Sequence, residues 1–392
     1  MTRVAYVCAD PGVPIFGTKG SSVHVQEIVR AWRGSGADVT VYCARRGTDR
    51  PADLADLDVI EVRPEPAPAG AAREQAVQEA ALALVDEVLH RGCGLVYERY
   101  SLFSPALSVL APVLDIPSVL EVNAPLIEEQ QRYRQLVDIK KAETVLRRNA
   151  GTADVVACVS EPVIRWVRDR VPAARTVLVP NGVNVGRITP RMAGRRSPDH
   201  LTVAFVGTLK PWHGVPGLLH GVALANAQTT DASRRWRVLV IGDGPVRVDL
   251  ERLAAALGVE AEFTGAVTPD AVPGLLNAAD AAAAPYPPDV AGQDDYFSPL
   301  KVYEYMAAAM PIIASSVGQI PYILDDGRTG ILVQPGEPAA IAQALTRLGE
   351  DPLLREGLGR SARDDAVTRF SWDGVLARIT ASLPPLRRVA AP

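Results

Sequence analysis

The stretch that decides the fold reads Phe297-Ser298-Pro299-Leu300-Lys301-Val302-Tyr303-Glu304-Tyr305-Met306-Ala307-Ala308-Ala309-Met310-Pro311-Ile312-Ile313-Ala314-Ser315. It predicts a loop, then a helix that opens at Pro299, then a buried strand over residues 311–315. Proline suits a first helical turn, because its missing N–H would have no helical acceptor there. A helix that leads directly into an apolar strand is typical of an α/β fold.

The start of this helix has the features of an anion site. The first N–H groups of a helix have no intrahelical acceptor, so those of Leu300, Lys301 and Val302 would point towards an anion. Glu304 lies about one turn further on, where its carboxylate could accept two hydrogen bonds from a vicinal diol such as a ribose. Together these features indicate a bound nucleotide diphosphate. The alternative is an ordinary βαβ unit with one solvent-facing glutamate.

Short apolar strands alternate with helical stretches along the whole chain, which predicts parallel sheets flanked by helices. In the first half we predict strands at residues 4–8, 39–43, 59–62, 95–97, 118–122, 155–159 and 176–179. In the second half we predict them at residues 201–206, 237–241, 262–264, 281–284, 311–315 and 330–333.

Two similar halves predict two domains. A turn cluster at Pro180–Asn184 and a polar stretch at Arg187–His200 separate the halves. We therefore predict one α/β domain over residues 1–186, a second over residues 187–370, and a last helix over residues 371–392. Ligands of such sheets bind outside the carboxyl ends of the strands.

The composition argues against several classes of protein. With 392 residues, of which 48% are apolar, the chain can build two domains that each have a core. A net charge of −4 does not favour broad nucleic-acid binding. No run approaches the length of a membrane span, and we expect no signal peptide, because the chain begins directly with a predicted strand.

The cysteines suggest a reducing compartment. They are Cys8, Cys43, Cys93 and Cys158. Their wide spacing fits neither a metal site nor a disulfide scaffold. We interpret them as small buried residues of a cytoplasmic protein.

Glycine-containing turns follow several predicted strands. The turn at Gly12–Ser22 could bring backbone close to a ligand at Gly17 and Gly20. It has neither the G-x-G-x-x-G spacing of a dinucleotide site nor the Gly-Lys-Ser/Thr end of a P-loop, which argues against a nicotinamide dehydrogenase. Comparable turns in the second half are Gly207–Gly214, Val240–Pro245 and Phe263–Val267.

These turns and the Pro299 helix together resemble the family-4 glycosyltransferases, which are retaining enzymes of the GT-B fold. The resemblance covers nearly the whole chain and is strongest from Val203 to Val333. It implies two facing Rossmann-like domains with a cleft between them. It also implies a nucleotide-sugar site in the second domain, an acceptor site in the first, and a closing helix from Trp372 that crosses back to the first domain.

The resemblance implies a set of donor-binding residues. They are Gly17, Gly20, Gly207, Lys210, Gly242, Gly265, Ala266, Val267, Asp295, Ser298, Pro299, Leu300, Lys301 and Glu304. Family members place an Arg and a Lys where this chain has Thr208 and His213. Lys210 is therefore the catalytic candidate expected to contact the β-phosphate and stabilise the departing diphosphate, with His213 assisting. Trp212 is expected to pack under the loop.

The E-x(7)-E donor motif of the family is incomplete. Glu304 supplies its second glutamate, whereas Tyr296 stands in the place of the first, so Asp295 is the candidate substitute. Asp294 and Asp295 do not form a D-x-D metal motif, and we expect no essential metal. No cofactor is expected besides the nucleotide sugar as co-substrate.

Asn123 and Glu121 end a predicted strand of the first domain and fall on the same side of it. Asn123 stands where family members often carry a His, and its amide can hold a sugar hydroxyl but cannot act as a base. We predict Asn123 as a catalytic and acceptor-binding residue, Glu121 as a catalytic candidate and Lys19 as an acceptor-binding candidate. Alternatively, Glu121 forms a structural ion pair with Arg99 or Lys19, and Lys19 belongs to a plain flexible loop.

Basic residues stand among apolar ones from Glu128 to Arg148, a pattern that some family members use on an acidic membrane. Interspersed acidic residues favour a solvated helix face over peripheral membrane contact. The expected partners are a nucleotide sugar and an acceptor molecule, with no nucleic acid, in a monomer or a homodimer.

The leading hypothesis is a metal-independent, retaining glycosyltransferase that uses a nucleotide sugar such as a UDP- or GDP-sugar. Its acceptor would be a hydroxyl of a small natural product, a lipid or an envelope glycan. One alternative is a nucleotide-sugar 2-epimerase or hydrolase on the same fold. Another is a catalytically silent partner subunit that binds a sugar nucleotide.

Overall fold

The structure is a computed structural model that describes residues 2–190, 197, 199–288 and 296–384. The chain divides into two compact units. The first comprises the chain up to Pro180 together with the chain from Trp372 onward, and the second comprises Asn181–Ser371. The sequence placed these divisions after residues 186 and 370. Residues just after Pro180 belong to the second unit because Val183 and Ile188 are buried in its core.

The first unit contains a parallel sheet with the strand order β3-β2-β1-β4-β5-β6-β7. Its strands are β1 (Arg3–Cys8), β2 (Asp38–Cys43), β3 (Asp58–Glu61), β4 (Leu95–Arg99), β5 (Ser118–Val122), β6 (Val155–Cys158) and β7 (Thr176–Leu178). Its helices are α1 (Gly20–Gly34), α2 (Ala71–Arg91), α3 (Ala106–Leu114), α4 (Leu126–Tyr133), α5 (Ile139–Thr152), α6 (Glu161–Arg170) and the last helix of the chain, α14 (Trp372–Ala381). Helix α14 packs on α1, so the closing helix does return to the first unit.

The second unit contains a parallel sheet with the strand order β10-β9-β8-β11-β12-β13. Its strands are β8 (Leu201–Val206), β9 (Trp236–Ile241), β10 (Ala261–Phe263), β11 (Ala281–Ala284), β12 (Ile312–Ser315) and β13 (Ile331–Val333). Its helices are α7 (Val215–Gln228), α8 (Arg247–Leu257), α9 (Val272–Leu276), α10 (Leu300–Ala307), α11 (Ile320–Ile323), α12 (Pro338–Glu350) and α13 (Pro352–Arg369). Short 3-10 turns lie at Ala52–Leu54, Pro211–His213, Ala232–Arg234 and Pro269–Ala271.

The predicted α/β class with two Rossmann-like parallel sheets is confirmed. Every predicted strand is present, with ends that differ by a residue or two. The apolar runs of the inner strands are buried on both faces, as parallel strands require, whereas the edge strands β3, β7 and β10 are only partly buried. In each sheet the strand order reverses beside the first strand of its unit, β1 or β8. The carboxyl ends of the strands at such a reversal are where α/β sheets bind ligands.

A buried carboxyl group gives the first unit a pH-dependent stability. Glu98 on β4 is fully buried, and its Oε2 accepts hydrogen bonds from the Leu107 N–H (2.7 Å) and from Asn149 Nδ2 (3.2 Å). Burial raises the pKa of Glu98 from 4.5 to about 8. Between these two values the folded state keeps a proton that the unfolded state has released, so stability falls as the pH rises.

We expect the variant Glu98→Gln to lack this pH dependence. As the pH rises from about 5 to about 8, the free energy of unfolding of the variant should increase relative to that of the wild type by up to about 1.4 kcal/mol per pH unit. Urea denaturation of both proteins across this range measures the difference. Two stability curves that stay parallel would show that Glu98 is already ionised in the folded protein.

Candidate active site

Three of the predicted glycine turns meet at one edge of the second sheet. Gly207, Gly242 and Gly265 follow β8, β9 and β10, and all three have positive φ angles. A Cβ on Gly242 would overlap the carbonyl oxygen of Gly207, and Gly242 also forms an isolated bridge with Gly265. Only glycine permits this close approach, so the turns form one continuous backbone surface at the carboxyl ends of the strands.

Helix α10 is tied to the same edge. The Val206 N–H, at the end of β8, donates a hydrogen bond to the Tyr305 hydroxyl (2.8 Å), which in turn donates to the carbonyl oxygen of Ala283 on β11 (3.3 Å). Tyr305 is fully buried. These bonds bring the predicted helix start and the predicted Gly207 turn to one place, although they are nearly a hundred residues apart in sequence.

Pro299 lies at the N-cap of α10, one residue before its predicted place in the first turn. Of the three amides expected to face an anion, the Val302 N–H is already committed, because it donates to the Pro299 carbonyl oxygen (3.0 Å). The expectation for Val302 was therefore wrong. The amides of Leu300 and Lys301 remain at the open end of the helix, where an anion can meet them.

The loop before α10 is anchored through Ser298. Its hydroxyl is hydrogen-bonded to the Tyr303 hydroxyl (2.8 Å), and its carbonyl oxygen accepts from Asn181 Nδ2 (2.7 Å). These bonds hold the loop that leads into the helix start. Asp295 and its neighbour Asp294 lie outside the described residues, so the proposed substitute for the first motif glutamate stays a prediction.

The turn after Gly207 presents Lys210 and an exposed tryptophan. Lys210 is partly buried, and its Nζ lies 5.6 Å from the centroid of the Trp212 ring. Trp212 is 58% exposed, so the expectation that it packs under the loop was wrong. The 3-10 turn Pro211–His213 instead turns the indole outwards, while His213 points towards the buried Tyr286 ring (5.9 Å between centroids).

His213 is a neutral side chain at this site. Burial and the nearby Lys301 ammonium lower the pKa of His213 to about 4. Its Nδ1 is hydrogen-bonded to the carbonyl oxygen of Thr208, which places the proton of the neutral ring on Nδ1. His213 therefore adds no positive charge near neutral pH, and its Nε2 is left as a hydrogen-bond acceptor.

Lys301, predicted as a donor-binding residue, has its side chain buried at this edge, which the sequence did not indicate. Lys301 is only 8% exposed, and its Nζ lies 4.1 Å from the ring centroid of Phe205 and 5.1 Å from that of Tyr286. A Cβ on Gly207 would lie 3.2 Å from this Nζ. Burial lowers the pKa of Lys301 to about 7, against the opposing effect of Glu304.

The predicted diol and base contacts lie around this centre. Glu304 is half-buried on α10, close enough to Lys301 to raise its pKa. Ala266 is exposed after Gly265, whereas Val267 packs partly against the core. The proposed contact of Glu304 with a ribose, and those of Ala266 and Val267 with a nucleobase, stay predictions.

In the first unit, Glu121 is the centre of a buried polar cluster. Its Oε1 lies 2.8 Å from Arg99 Nη1 and 3.0 Å from His24 Nε2, and its Oε2 accepts from the Tyr97 hydroxyl (2.6 Å). Burial by itself would raise the pKa of Glu121, but His24, Arg99 and Tyr97 hold it at about 2. The carboxylate is therefore charged near neutral pH, as in the structural ion pair with Arg99 that the sequence left open.

Asn123 also belongs to this cluster, because its Nδ2 donates to Glu121 Oε1. The two side chains thus lie on the same side of the strand end, as predicted. The bond to Glu121 uses one of the two Nδ2 hydrogens, so the side-chain carbonyl oxygen and the second N–H of Asn123 are left to meet a ligand. The catalytic roles of Asn123 and Glu121 stay predictions.

The Gly12–Ser22 turn is held by a buried glutamine. Gln26 Nε2 on α1 donates to the carbonyl oxygens of Ile15 (2.9 Å) and Gly17 (3.1 Å). Gly20 begins α1, and Lys19 is an exposed N-cap residue before it. The exposure of Lys19 is compatible both with an acceptor contact and with a plain flexible loop.

The sequence did not indicate His24 or Tyr305 as site residues, and it indicated Lys301 as a donor-binding residue without showing that its side chain is buried. His24 lies on the buried face of α1, against Glu121 and the Trp372 ring (4.9 Å between centroids). For each residue the sequence offers the same signal, which is a polar or ionisable side chain on an otherwise apolar helix face. Such a side chain is expected to be buried and to have a hydrogen-bond or charge partner.

Within the described ranges, no group of three or more His, Cys, Asp or Glu residues could hold a metal ion. No helix in the described part of the chain is both long and apolar enough to cross a bilayer.

Two family models match the chain. The model described as Glycosyltransferase Family 4 matches residues 18–187, and the one described as Glycosyl transferases group 1 matches residues 200–351. Between them they account for most of both units. The glycine turns after β8, β9 and β10 and the start of α10 all fall within the second match.

Curated relatives match over part of their length. A D-inositol 3-phosphate glycosyltransferase from Actinosynnema mirum is 34% identical over 231 residues, which is 55% of this chain and 53% of that protein. A GDP-mannose-dependent alpha-(1-6)-phosphatidylinositol monomannoside mannosyltransferase from Mycobacterium tuberculosis is 28% identical over 252 residues, which is 61% of this chain and 63% of that protein. The chain thus spans little more than half the length of these relatives.

Solved structures share the fold at low sequence identity. HepE from Anabaena, in complex with UDP and glucose, is 17% identical, with a TM-score of 0.69 over 97% of this chain and 99% of that one. This likeness concerns the arrangement of the elements.

Proposed function

This chain belongs to the family-4 glycosyltransferases of the GT-B fold, and from that premise we propose that it moves a sugar from a nucleotide-diphosphate sugar to an acceptor hydroxyl. We propose further that the anomeric configuration is retained and that no metal ion is required. The observation that carries the proposal is the junction of the Gly207, Gly242 and Gly265 turns with the start of α10 at one edge of the second sheet.

This junction suits a diphosphate and the nucleoside next to it. The open amides of Leu300 and Lys301 and the positive end of the helix favour an anion. Glu304 lies one turn further on, as a diol contact requires. The glycine turns offer backbone without side chains in the way, so a flat base can lie against them.

The chemistry would be mainly electrostatic. Departure of the nucleoside diphosphate makes the sugar oxocarbenium-like and leaves negative charge on the β-phosphate, which Lys210 and the helix start would stabilise. The acceptor hydroxyl would attack from the same face, forming the new glycosidic bond as the bond to the diphosphate breaks and passing its proton to an oxygen of the departing diphosphate. His213, with its lone pair on Nε2, would accept a hydrogen bond from a sugar hydroxyl instead of pairing with phosphate.

The first unit would receive the acceptor. The Asn123 carbonyl oxygen and the exposed Lys19 are its candidate contacts. Glu121 would act by holding Asn123 in place, because a carboxylate with a pKa of about 2 and several hydrogen-bond donors around it is unsuited to moving protons near neutral pH. We propose a small natural product, a lipid or an envelope glycan as the acceptor.

The base of the donor is the first property to test. HepE was solved with UDP, and the mycobacterial relative is named as GDP-mannose-dependent, so UDP and GDP are the leading probes. In a thermal-shift screen of UDP, GDP, ADP, TDP and their common sugars, a ligand at 100 times its Kd should add about 2.7 kcal/mol to stability. A clear shift with one base supports the donor site, whereas no shift with any nucleotide would contradict the proposed function.

Retention and metal independence need a second assay. Once a donor and an acceptor are known, NMR of the product should show the anomeric configuration of the donor, and a chelator should leave the rate unchanged. An inverted product or a rate lost with the chelator would refute the corresponding part of the proposal. Release of free or epimerised sugar without an acceptor would point to a hydrolase or an epimerase.

A further inference from the structure

The Lys301 amine is placed where a structural role does not explain it. Its Nζ is buried and has no hydrogen-bond partner among the described residues. Two rings, Phe205 and Tyr286, approach it from the protein interior at 4.1 and 5.1 Å. An unpaired buried amine lowers stability, whereas an apolar side chain of the same length would fill the space without that cost.

The Nζ faces the backbone surface of the candidate donor site. Gly207 has no side chain, and the place its Cβ would occupy is 3.2 Å from the Lys301 Nζ. The amine is therefore closed in by rings and meets bare backbone at the turn after β8. Lys301 also belongs to the first turn of α10, where the amides of Leu300 and Lys301 are open.

We propose that the Lys301 side chain binds the diphosphate of the nucleotide donor and takes up a proton when it does so. This inference rests on the proposed function, because it assigns a recognition residue and a proton to the same donor site. The anion supplies the hydrogen-bond acceptors that the Lys301 Nζ lacks among the described residues. The protonated amine can then donate hydrogen bonds to phosphate oxygens. These bonds are strong because the donor and the acceptor are both charged.

The titratable and charged groups around Lys301 are consistent with an amine that is only partly protonated in the free protein near neutral pH. The turn after β8 contributes Lys210 and the neutral His213, and α10 itself contributes Glu304. Tyr286, after β11, is a buried neutral phenol. Helix α13 packs against α10 and carries Arg363. Arg363 Nη1 donates a hydrogen bond to the Ala307 carbonyl oxygen (2.8 Å), at the end of α10 opposite to Lys301.

Burial outweighs Glu304 and brings the pKa of Lys301 to about 7, so above that pH much of the amine is neutral. A bound diphosphate raises the pKa again. Binding above about pH 7 should therefore consume a proton, and the affinity should fall as the pH rises further.

The test compares the wild type with Lys301→Met, with Lys140→Met as the matched control, because Lys140 is an exposed lysine of the first unit. Isothermal titration uses uridine, UDP, guanosine and GDP as probes. Lys301→Met should weaken binding of the diphosphate about 10- to 100-fold, the usual range for a hydrogen bond to a charged group. It should leave binding of the matching nucleoside unchanged.

The proton is measured separately on the wild type. Titrations at about pH 8 in two buffers with different ionisation enthalpies should show uptake of between about half and one proton per diphosphate bound. Lys301→Met should show none. Its stability without ligand should be at least that of the wild type, because methionine removes the buried amine and keeps the packing.

The outcomes are distinct. Equal loss of nucleoside and diphosphate affinity, or a large loss of stability in Lys301→Met, would make Lys301 a structural residue and overturn the inference. Wild-type binding without proton uptake would overturn it as well, even if the variant failed to fold. If the wild type bound none of the probes while remaining folded, the proposed function itself would fail.

Discussion

Replacing Lys210 by alanine should lower kcat/KM for sugar transfer at least about a hundredfold, the scale of losing one group that stabilises developing charge. Lys210 belongs to the turn that packs against Gly242 and lies close enough to His213 to lower its pKa. Because the leaving diphosphate gains negative charge only as the glycosidic bond breaks, most of the loss should appear in kcat.

Replacing Glu304 by alanine should cause a loss of similar size by another route. Its proposed hydrogen bonds to a diol exist in both the bound donor and the transition state, so their removal should raise the KM for the donor and affect kcat less. Two charge-assisted hydrogen bonds account for a factor of about a hundred or more. Initial rates over a range of donor concentrations distinguish the two variants.

Arg252→Ala is the control for both variants, because Arg252 lies on α8 of the same unit with its side chain 76% exposed. It should transfer sugar at the wild-type rate. Near-full activity of both Lys210→Ala and Glu304→Ala would remove the basis for placing the donor at this edge of the sheet.

Replacing Glu121 by alanine should destabilise the first unit by about 3–5 kcal/mol, as expected when one partner of a buried ion pair is removed. Glu121 is 4% exposed, and the variant would leave the Arg99 guanidinium buried without its carboxylate. The Tyr97 hydroxyl and the Asn123 amide would lose their acceptor as well. Urea denaturation followed by circular dichroism measures the loss.

The pH dependence of this effect has a definite sign. Since the pKa of Glu121 is about 2 in the folded state and 4.5 in the unfolded chain, its contribution is complete above about pH 4.5 and is lost as the pH falls towards 2. Glu65→Ala, in an exposed loop of the same unit, should change stability by less than about 0.5 kcal/mol. A Glu121 variant as stable as this control would show that the cluster contributes nothing to folding.

Much of the donor edge could be read from local sequence signals. Gly207, Gly242 and Gly265 indicated turns because each follows a predicted strand. Their positive φ angles are ones that glycine adopts readily. Pro299 marked the start of α10 because proline favours helix starts. The closeness of Glu121 and Asn123 followed from the two-residue repeat of a strand.

Other features depended on partners far away in the chain. Trp212 faces outwards because the 3-10 turn directs it there, and nothing in its own sequence context indicates this. Tyr305 joins α10 to β8 through Val206, a partner that no local pattern identifies. His24 meets Glu121 only because α1 packs over the end of β5.

The sequence by itself determined the order of strands and helices, the two parallel sheets and the positions of the turns. These depend on hydrophobic periodicity and on the backbone limits of glycine and proline, which act between near neighbours in the chain. Only the tertiary structure decided the charge of the buried groups, with Lys301 near its titration point, His213 neutral and Glu121 ionised. The free energy of a buried charge depends on desolvation and on charges brought close by folding, so the pKa of each group is a property of the folded chain.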